Sequence, residues 1–158
     1  MNEFHEMRRR DRAISEEAAL SLLNDGEYGI LATIGEDGWP YGVPLSYAYE
    51  EGNIYFHSAP EGHKLENLRY VSKVAFTVVG ETHVLQEAYS TAYESVIVFG
   101  TVRPLEGREK TEALVKLAQK YCYDYLDRAE SYAEKSSGHV RVYCLEIKHI
   151  TGKQRQAR

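Results

Sequence analysis

At 158 residues, with 43% hydrophobic and 27% charged side chains, the chain has the size and composition of one globular domain. Its formal net charge of -5 argues against a nucleic-acid partner, which would favour a basic surface. No apolar run reaches bilayer-spanning length and residues 1–12 are too polar for a secretory signal; the two cysteines, Cys122 and Cys144, are far apart and suit a reducing cytoplasm.

In chain order, Ser15 followed by Glu16 and Glu17 reads as a helix cap with acids in the first turn, and Ala19, Leu20, Leu22 and Leu23 give that helix an apolar face before Asn24, Asp25 and Gly26 end it. Residues 28–34, 39–49 and 53–58 read as three strands joined by tight glycine-containing turns, an antiparallel meander. A short helix over residues 62–70 follows, then an alternating strand over residues 73–80. Residues 81–92 have weak periodicity and are expected to form a loop or helical turn. Residues 93–105 read as a long strand, apolar enough on both faces to be central or buried at an interface. A helix over residues 107–134 places Leu114, Leu117, Ala118, Tyr121 and Tyr125 on one face, with Glu109 and Lys110 as surface charges. A last strand spans residues 140–148, and Thr151, Gly152 and Lys153 begin a basic tail. Six strands grouped in hairpins with three peripheral helices predict a mainly β (α+β) antiparallel barrel in a single domain over residues 1–158.

The stretch from Tyr55 to Lys64 carries the most chemistry. A strand ends at His57 and Ser58, breaks at Ala59 and Pro60, and delivers His63 and Lys64 into the start of a helix. Unpaired N–H groups at a helix start, a basic pair and a nearby hydroxyl make a phosphate cradle; the same residues also suit a solvated turn with incidental charges. His57 has two readings as well, a proton donor beside a bound ligand or a strand histidine satisfied by the backbone. Thirteen tyrosines, several on the expected strands, suit an interface or a planar-ligand pocket as well as a β-rich core. His5, His83, His139 and His149 have no metal-ligand spacing, and the basic ends (Arg8, Arg9, Arg10, Arg12; Lys153, Arg155, Arg158) read as solvated charge.

The order of these segments is specific in combination. Residues 28–33, 38–47, 55–59, 62–64, 73–78 and 93–100 together resemble the pyridoxamine 5'-phosphate oxidase-like flavin-binding split barrels, and within them the nitroimidazole-resistance (Nim) branch. The resemblance spans nearly the whole chain. It implies a six-stranded split β-barrel forming a homodimer with FMN, or FAD, at the subunit interface. It also implies a flavin-dependent oxidoreductase acting on nitroaromatic or other small acceptors, with a non-catalytic flavin-storage or sensing protein as the alternative. By the same resemblance Pro44, Leu45 and Ser46 run beside the flavin ring, and His57 and Ser58 meet the ribityl chain and phosphate. His63 and Lys64 grip the phosphate, and Ser95 falls where relatives place a polar side chain, often from the partner subunit, against the flavin; beside a bound flavin, His57 is the candidate catalytic group. Three departures set the chain apart from the oxidase proper. Val43 stands where that enzyme has an arginine, His63 and Lys64 stand where it has an Arg-Lys pair on the phosphate, and the substrate-binding extension is expected to be missing after Lys153, so pyridoxamine phosphate is not the expected substrate. A haem-handling relative is disfavoured because no axial-ligand motif is evident.

Overall fold

Helix α1 (Glu16–Asp25) begins at the expected cap: Ser15 Oγ accepts a hydrogen bond from the Ala18 N–H at 3.1 Å, and Glu16 and Glu17 face the positive end of the helix dipole. Its buried Ala19 and Leu23 point into the main core. In the computed structural model, which describes residues 3–157, α1 packs against one antiparallel sheet of eight strands. These are β1 (Ala13–Ile14), β2 (Gly29–Ile34), β3 (Pro40–Leu45), β4 (Ala48–Glu50), β5 (Asn53–Ser58), β6 (Lys73–Leu85), β7 (Ser90–Pro104) and β8 (Arg141–Arg155).

The sheet order is β3-β2-β6-β7-β8-β5-β4, with β1 paired to the far end of β8. The expected mainly β, split-barrel class holds, with β3 and β4 as its two open edges. The meander does not run continuously: β2 pairs with β3 and β4 with β5, but β3 and β4 are not paired to each other. The break falls at Ser46 and Tyr47, where contacts from another helix replace ladder bonds. The Tyr47 N–H donates to the Tyr121 hydroxyl at 3.0 Å, and its carbonyl accepts from Lys120 Nζ at 2.9 Å. The Tyr47 ring is fully buried, and its hydroxyl donates to the Leu23 carbonyl.

Residues 81–92 form an arm of strand, not a loop. β6 and β7 run on past a bulge between Val79 and Thr82 to a tip at Gln86–Ala88, where Tyr89 adopts left-handed backbone angles (φ 47°, ψ 47°). The bulge shifts the alternation and erases the two-residue period on which a sequence reading depends. Glu94 stabilises it by accepting a hydrogen bond from the Glu81 N–H at 3.3 Å. The expected basic tail is likewise strand, since β8 continues to Arg155 against β7.

Leu31, Phe56, Phe76, Val78, Val96, Val98 and Leu145 fill the barrel interior around Tyr47. A second core lies under α3 (Gly107–Tyr121) and α4 (Ala129–Ser136), where Ala113, Leu114, Leu117 and Ala133 meet Val142 and Cys144. The helix expected over residues 107–134 is interrupted at Cys122 (φ -127°, ψ 38°) by a 3-10 stretch over Tyr123–Arg128 that leaves Tyr125 exposed. The local Tyr-Cys-Tyr-Asp-Tyr run is poor in helix formers, and the Tyr121 hydroxyl is anchored 2.6 Å from the Glu27 carbonyl. Lys110 departs from its expected place on the surface. It is buried, and its ammonium donates to the Ser137 carbonyl at the end of α4. No helix among the described residues is long and apolar enough to cross a membrane.

Candidate functional site

The chain turns from β5 into α2 (His63–Tyr70) through Gly62, whose backbone angles (φ 145°, ψ 170°) strain any residue with a Cβ. No side chain caps α2, and the Leu65 and Glu66 N–H groups bond back to the Gly62 carbonyl at 3.1 and 3.2 Å. The His63 and Lys64 N–H groups belong to the unpaired set that every helix start leaves for an external acceptor.

Burial on α2 fixes where its basic pair points. Leu65 and Asn67 face inward, and Asn67 Nδ2 donates to Thr33 Oγ1 on β2 at 3.0 Å inside the protein. Thr33 pairs across the ladder with Tyr41 of β3, and the Tyr41 ring stacks on the His63 imidazole with centroids 4.0 Å apart. Tyr41 thus joins the cradle, although the sequence reading had not singled it out. Only the register of β3 against β2, together with the α2 packing, reveals its position.

His57 shares a face of β5 with Tyr55, close enough to Lys64 to feel its charge. Partial burial, and then the Lys64 ammonium, hold the His57 imidazole below its ordinary pKa, so it is neutral at pH 7. Burial likewise lowers the Lys64 pKa. Among the described residues, no carboxylate lies within 4.0 Å of Lys64. A half-buried ammonium with no counter-charge, a stacked imidazole and free helix-start N–H groups form a donor set suited to a phosphate.

The other sequence-derived residues lie at varying distances from this cradle. Ser58 is buried at its edge, its hydroxyl donating to the Ala59 carbonyl at 2.9 Å. Pro44, Leu45 and Ser46 lie at the opposite end of β3 from Tyr41. Four extended residues separate Tyr41 from Leu45, about 13 Å. Leu45 packs against the main core, so only its backbone faces outward, while Pro44 lies on the outer face opposite Ile30. Ser95, half-buried on β7, is three strand spacings from β3, about 14 Å across the sheet, and is not part of the same cluster within one chain.

That outer face is strongly apolar. Register places Pro44, Ile30, Thr77, Ile97 and Thr151 in one row and Gly42, Ala32, Ala75, Phe99 and His149 in the next. Ile30, Ile34, Val79, Ile97 and Phe99 are each more than a third exposed. A cleft of 1090 Å³ opens elsewhere, between residues 9–14, the tip of the β6–β7 arm and the end of β8.

The family model described as pyridoxamine 5'-phosphate oxidase matches residues 15–154. No curated protein matches the chain by sequence. Among solved structures it is similar to a candidate 5-nitroimidazole antibiotic resistance protein from Bacteroides thetaiotaomicron, at 25% identity and a TM-score of 0.76, with 90% of this chain and 86% of that one covered. It is similar to the conserved hypothetical protein Rv2991 of Mycobacterium tuberculosis, at 21% identity and a TM-score of 0.80 over 94% and 90% of the two chains. It is also similar to an FAD-binding protein from Mesorhizobium loti, at 24% identity and a TM-score of 0.63 over 92% and 97%. Haem-binding proteins of the same fold align at lower identity, 10 to 19%.

Proposed function

The chain belongs to the pyridoxamine 5'-phosphate oxidase family, and on that premise we propose that it binds a flavin, FMN in the first instance, at an interface between two copies. We further propose that it acts there as a flavin-dependent oxidoreductase on nitroaromatic or other small acceptors. The observation that carries this reading is the cradle of Lys64, His63 and the α2 start, cationic and without a carboxylate partner. Its single ammonium and its helix-start N–H groups suit one phosphate, which favours FMN over FAD.

When bound, the flavin supplies the redox chemistry, taking electrons from a reductant and passing them to an acceptor. The protein's own contribution is placement. Lys64, His63 and the helix-start N–H groups hold the phosphate, and the outer edge of β3 from Tyr41 to Ser46 offers an extended track for the rest of the molecule. Ser95 is too far from this track within one chain, which supports its contribution from a second copy. The exposed rows around Ile30 and Ile97 have the apolar character of such a contact. His57, near Lys64 and held below its ordinary pKa by desolvation and the Lys64 charge, is our candidate to exchange a proton with the bound molecule. The likeness to a candidate nitroimidazole-resistance protein supports the nitroaromatic class of acceptor. The unpaired cysteines, Cys122 and Cys144, fit a reducing cytoplasm.

The absorption spectrum of the purified protein, before and after adding FMN, tests the cofactor. Flavin bands at about one per chain are expected; a haem band, or no flavin binding by calorimetry, overturns the reading. Lys64→Ala should weaken FMN by about 1.5–3 kcal/mol, the scale of a charge-assisted hydrogen bond, and weaken riboflavin far less. Equal losses for the two ligands would remove the phosphate role. Bleaching by NADH or NADPH, followed by reoxidation with a nitroimidazole, supports the enzyme; acceptor-independent reoxidation would assign the chain to flavin storage.

A further inference from the structure

The sequence places basic residues at both ends of the chain, and the fold brings four of them together. β1 pairs with β8 through Ala13 and Lys153, which carries Arg9 and Arg12 from one end to Lys153 and Arg155 from the other. All four are partly buried, whereas Arg8 and Arg10 are exposed. They converge on Tyr93, which pairs with Arg155 and lies two residues from Ser95 on β7.

Lys153 Nζ lies 5.8 Å from the centroid of the Tyr93 ring, and Arg12 lies near enough for its charge to act on the phenol. Burial raises the phenol pKa, but these two cations outweigh it, and the net shift is downward. Arg155 donates to the Ser90 hydroxyl, and Arg9 is held by Asp11. Among the described residues, no carboxylate lies within 4.0 Å of Arg12, Lys153 or Arg155. Of the nearby acids, Glu94 bonds the Glu81 N–H, Asp11 pairs with Arg9, and Glu87 lines the adjoining cleft from the arm tip without pairing with any of the three. In a chain of net charge -5, three cations without counter-charges gathered on one tyrosine repel one another unless an anion joins them. The adjoining cleft of 1090 Å³, lined by Arg9, Arg12 and Arg155, is wide enough for one.

We propose that Arg12, Lys153 and Tyr93, flanked by Arg9 and Arg155, form a second anion site that binds the phosphoryl group of a small molecule. A phosphoryl dianion is favoured over a carboxylate because its oxygens accept from two guanidinium forks, an ammonium and a hydroxyl at once, and its two charges balance a cluster that one charge would leave strongly positive. The site is separate from the Lys64 cradle and stands whether or not the flavin reading holds. Its phosphoryl group comes either from a free phosphorylated compound or from the second phosphate of a dinucleotide flavin.

Calorimetric titration of the full-length protein with inorganic pyrophosphate at fixed ionic strength, with acetate as the singly charged control, tests the site. Pyrophosphate should bind the wild type, and Arg12→Gln/Lys153→Gln should weaken it at least tenfold. Tyr93→Phe, a milder change, should weaken it several-fold, and both differences should persist when Lys64→Ala is present in every protein titrated, which removes the cradle as a competing phosphate site. Retained pyrophosphate binding to FMN-loaded protein identifies a free phosphorylated compound; a double-variant loss confined to FAD, with FMN unaffected, identifies the dinucleotide. Absence of pyrophosphate binding, equal affinity in the wild type and in both the double variant and Tyr93→Phe, or disappearance of the dependence on Arg12 and Lys153 once Lys64→Ala is present in every protein overturns the proposal. Failure of FMN to bind while pyrophosphate still depends on Arg12 and Lys153 removes only the flavin reading.

Discussion

Lys120 shows how burial tunes one residue. Its ammonium lies 3.8 Å from the centroid of the Tyr47 ring and donates to the Tyr47 carbonyl; among the described residues no carboxylate lies within 4.0 Å of it, and the nearby Asp25 only partly offsets its burial. Burial lowers its pKa to about 8 from the ordinary 10.5. Between those values the unfolded chain keeps a proton that the folded protein has released, so stability should rise with pH across that window. Below pH 8 the charging penalty is fully present and constant. Solvent screening at a half-exposed group reduces the effect to on the order of 1 kcal/mol. Urea unfolding between pH 7.5 and 10.5 should show this rise in the wild type and a flatter profile in Lys120→Met; identical slopes would exclude it. His57 gives a second test at this scale. His57→Ala should change FMN affinity by less than about tenfold, ~1.4 kcal/mol, yet slow reoxidation of the reduced protein by a nitroimidazole much more than that. Equal reoxidation rates in stopped flow would make His57 a contact residue only. His57, His63 and Lys64 were legible in sequence because they flank a strand-to-helix turn. Tyr41 was not, because its stacking on His63 depends on a strand register and a helix packing that no local pattern encodes.

Among the elements, α2 shows how a short helix is held in place. Its apolar residues are few, and the Asn67–Thr33 hydrogen bond ties it to β2 inside the protein. Asn67→Ala removes a buried hydrogen bond and leaves Thr33 without its donor, at a cost of about 1–3 kcal/mol in unfolding free energy. FMN affinity should fall as well, although Asn67 does not belong to the cradle's donor set, because His63 and Lys64 lose their anchor. A variant that loses stability but keeps full FMN affinity would show that the cradle assembles independently of this bond. The strands and the capped α1 were readable because alternation and cap chemistry are local. The β6–β7 arm was not, because the bulge at Val79 and Thr82 breaks the period. The break after α3 depends on a Tyr121 anchor to residues 74 and 94 positions away.

For the whole molecule, the proposed assembly rests on the exposed rows around Ile30 and Ile97. An apolar patch of this kind on the outer face of a small barrel should bury itself against a second copy. Ile97→Glu places a charge in the middle of that face. Sedimentation at micromolar concentration should show a dimer for the wild type and a monomer for the variant, with FMN binding lost together with the dimer. A monomeric wild type, or a monomeric variant that binds FMN with undiminished affinity, would exclude a site shared between copies.

The position of β8 in the sheet also has a consequence for how the chain acquires its structure. It is made after β5 and β7, yet it lies between them and supplies the ladder that joins both. Until residues 141–155 leave the ribosome, the β4–β5 hairpin has no ladder pairing to the β2–β3–β6–β7 half, and both halves present an open strand edge. The cooperative step of folding is therefore the insertion of the last-made strand into a waiting slot. Nascent chains stalled before residue 141 should be sensitive to protease and prone to pair edge to edge, whereas chains released past residue 155 become resistant in a single step.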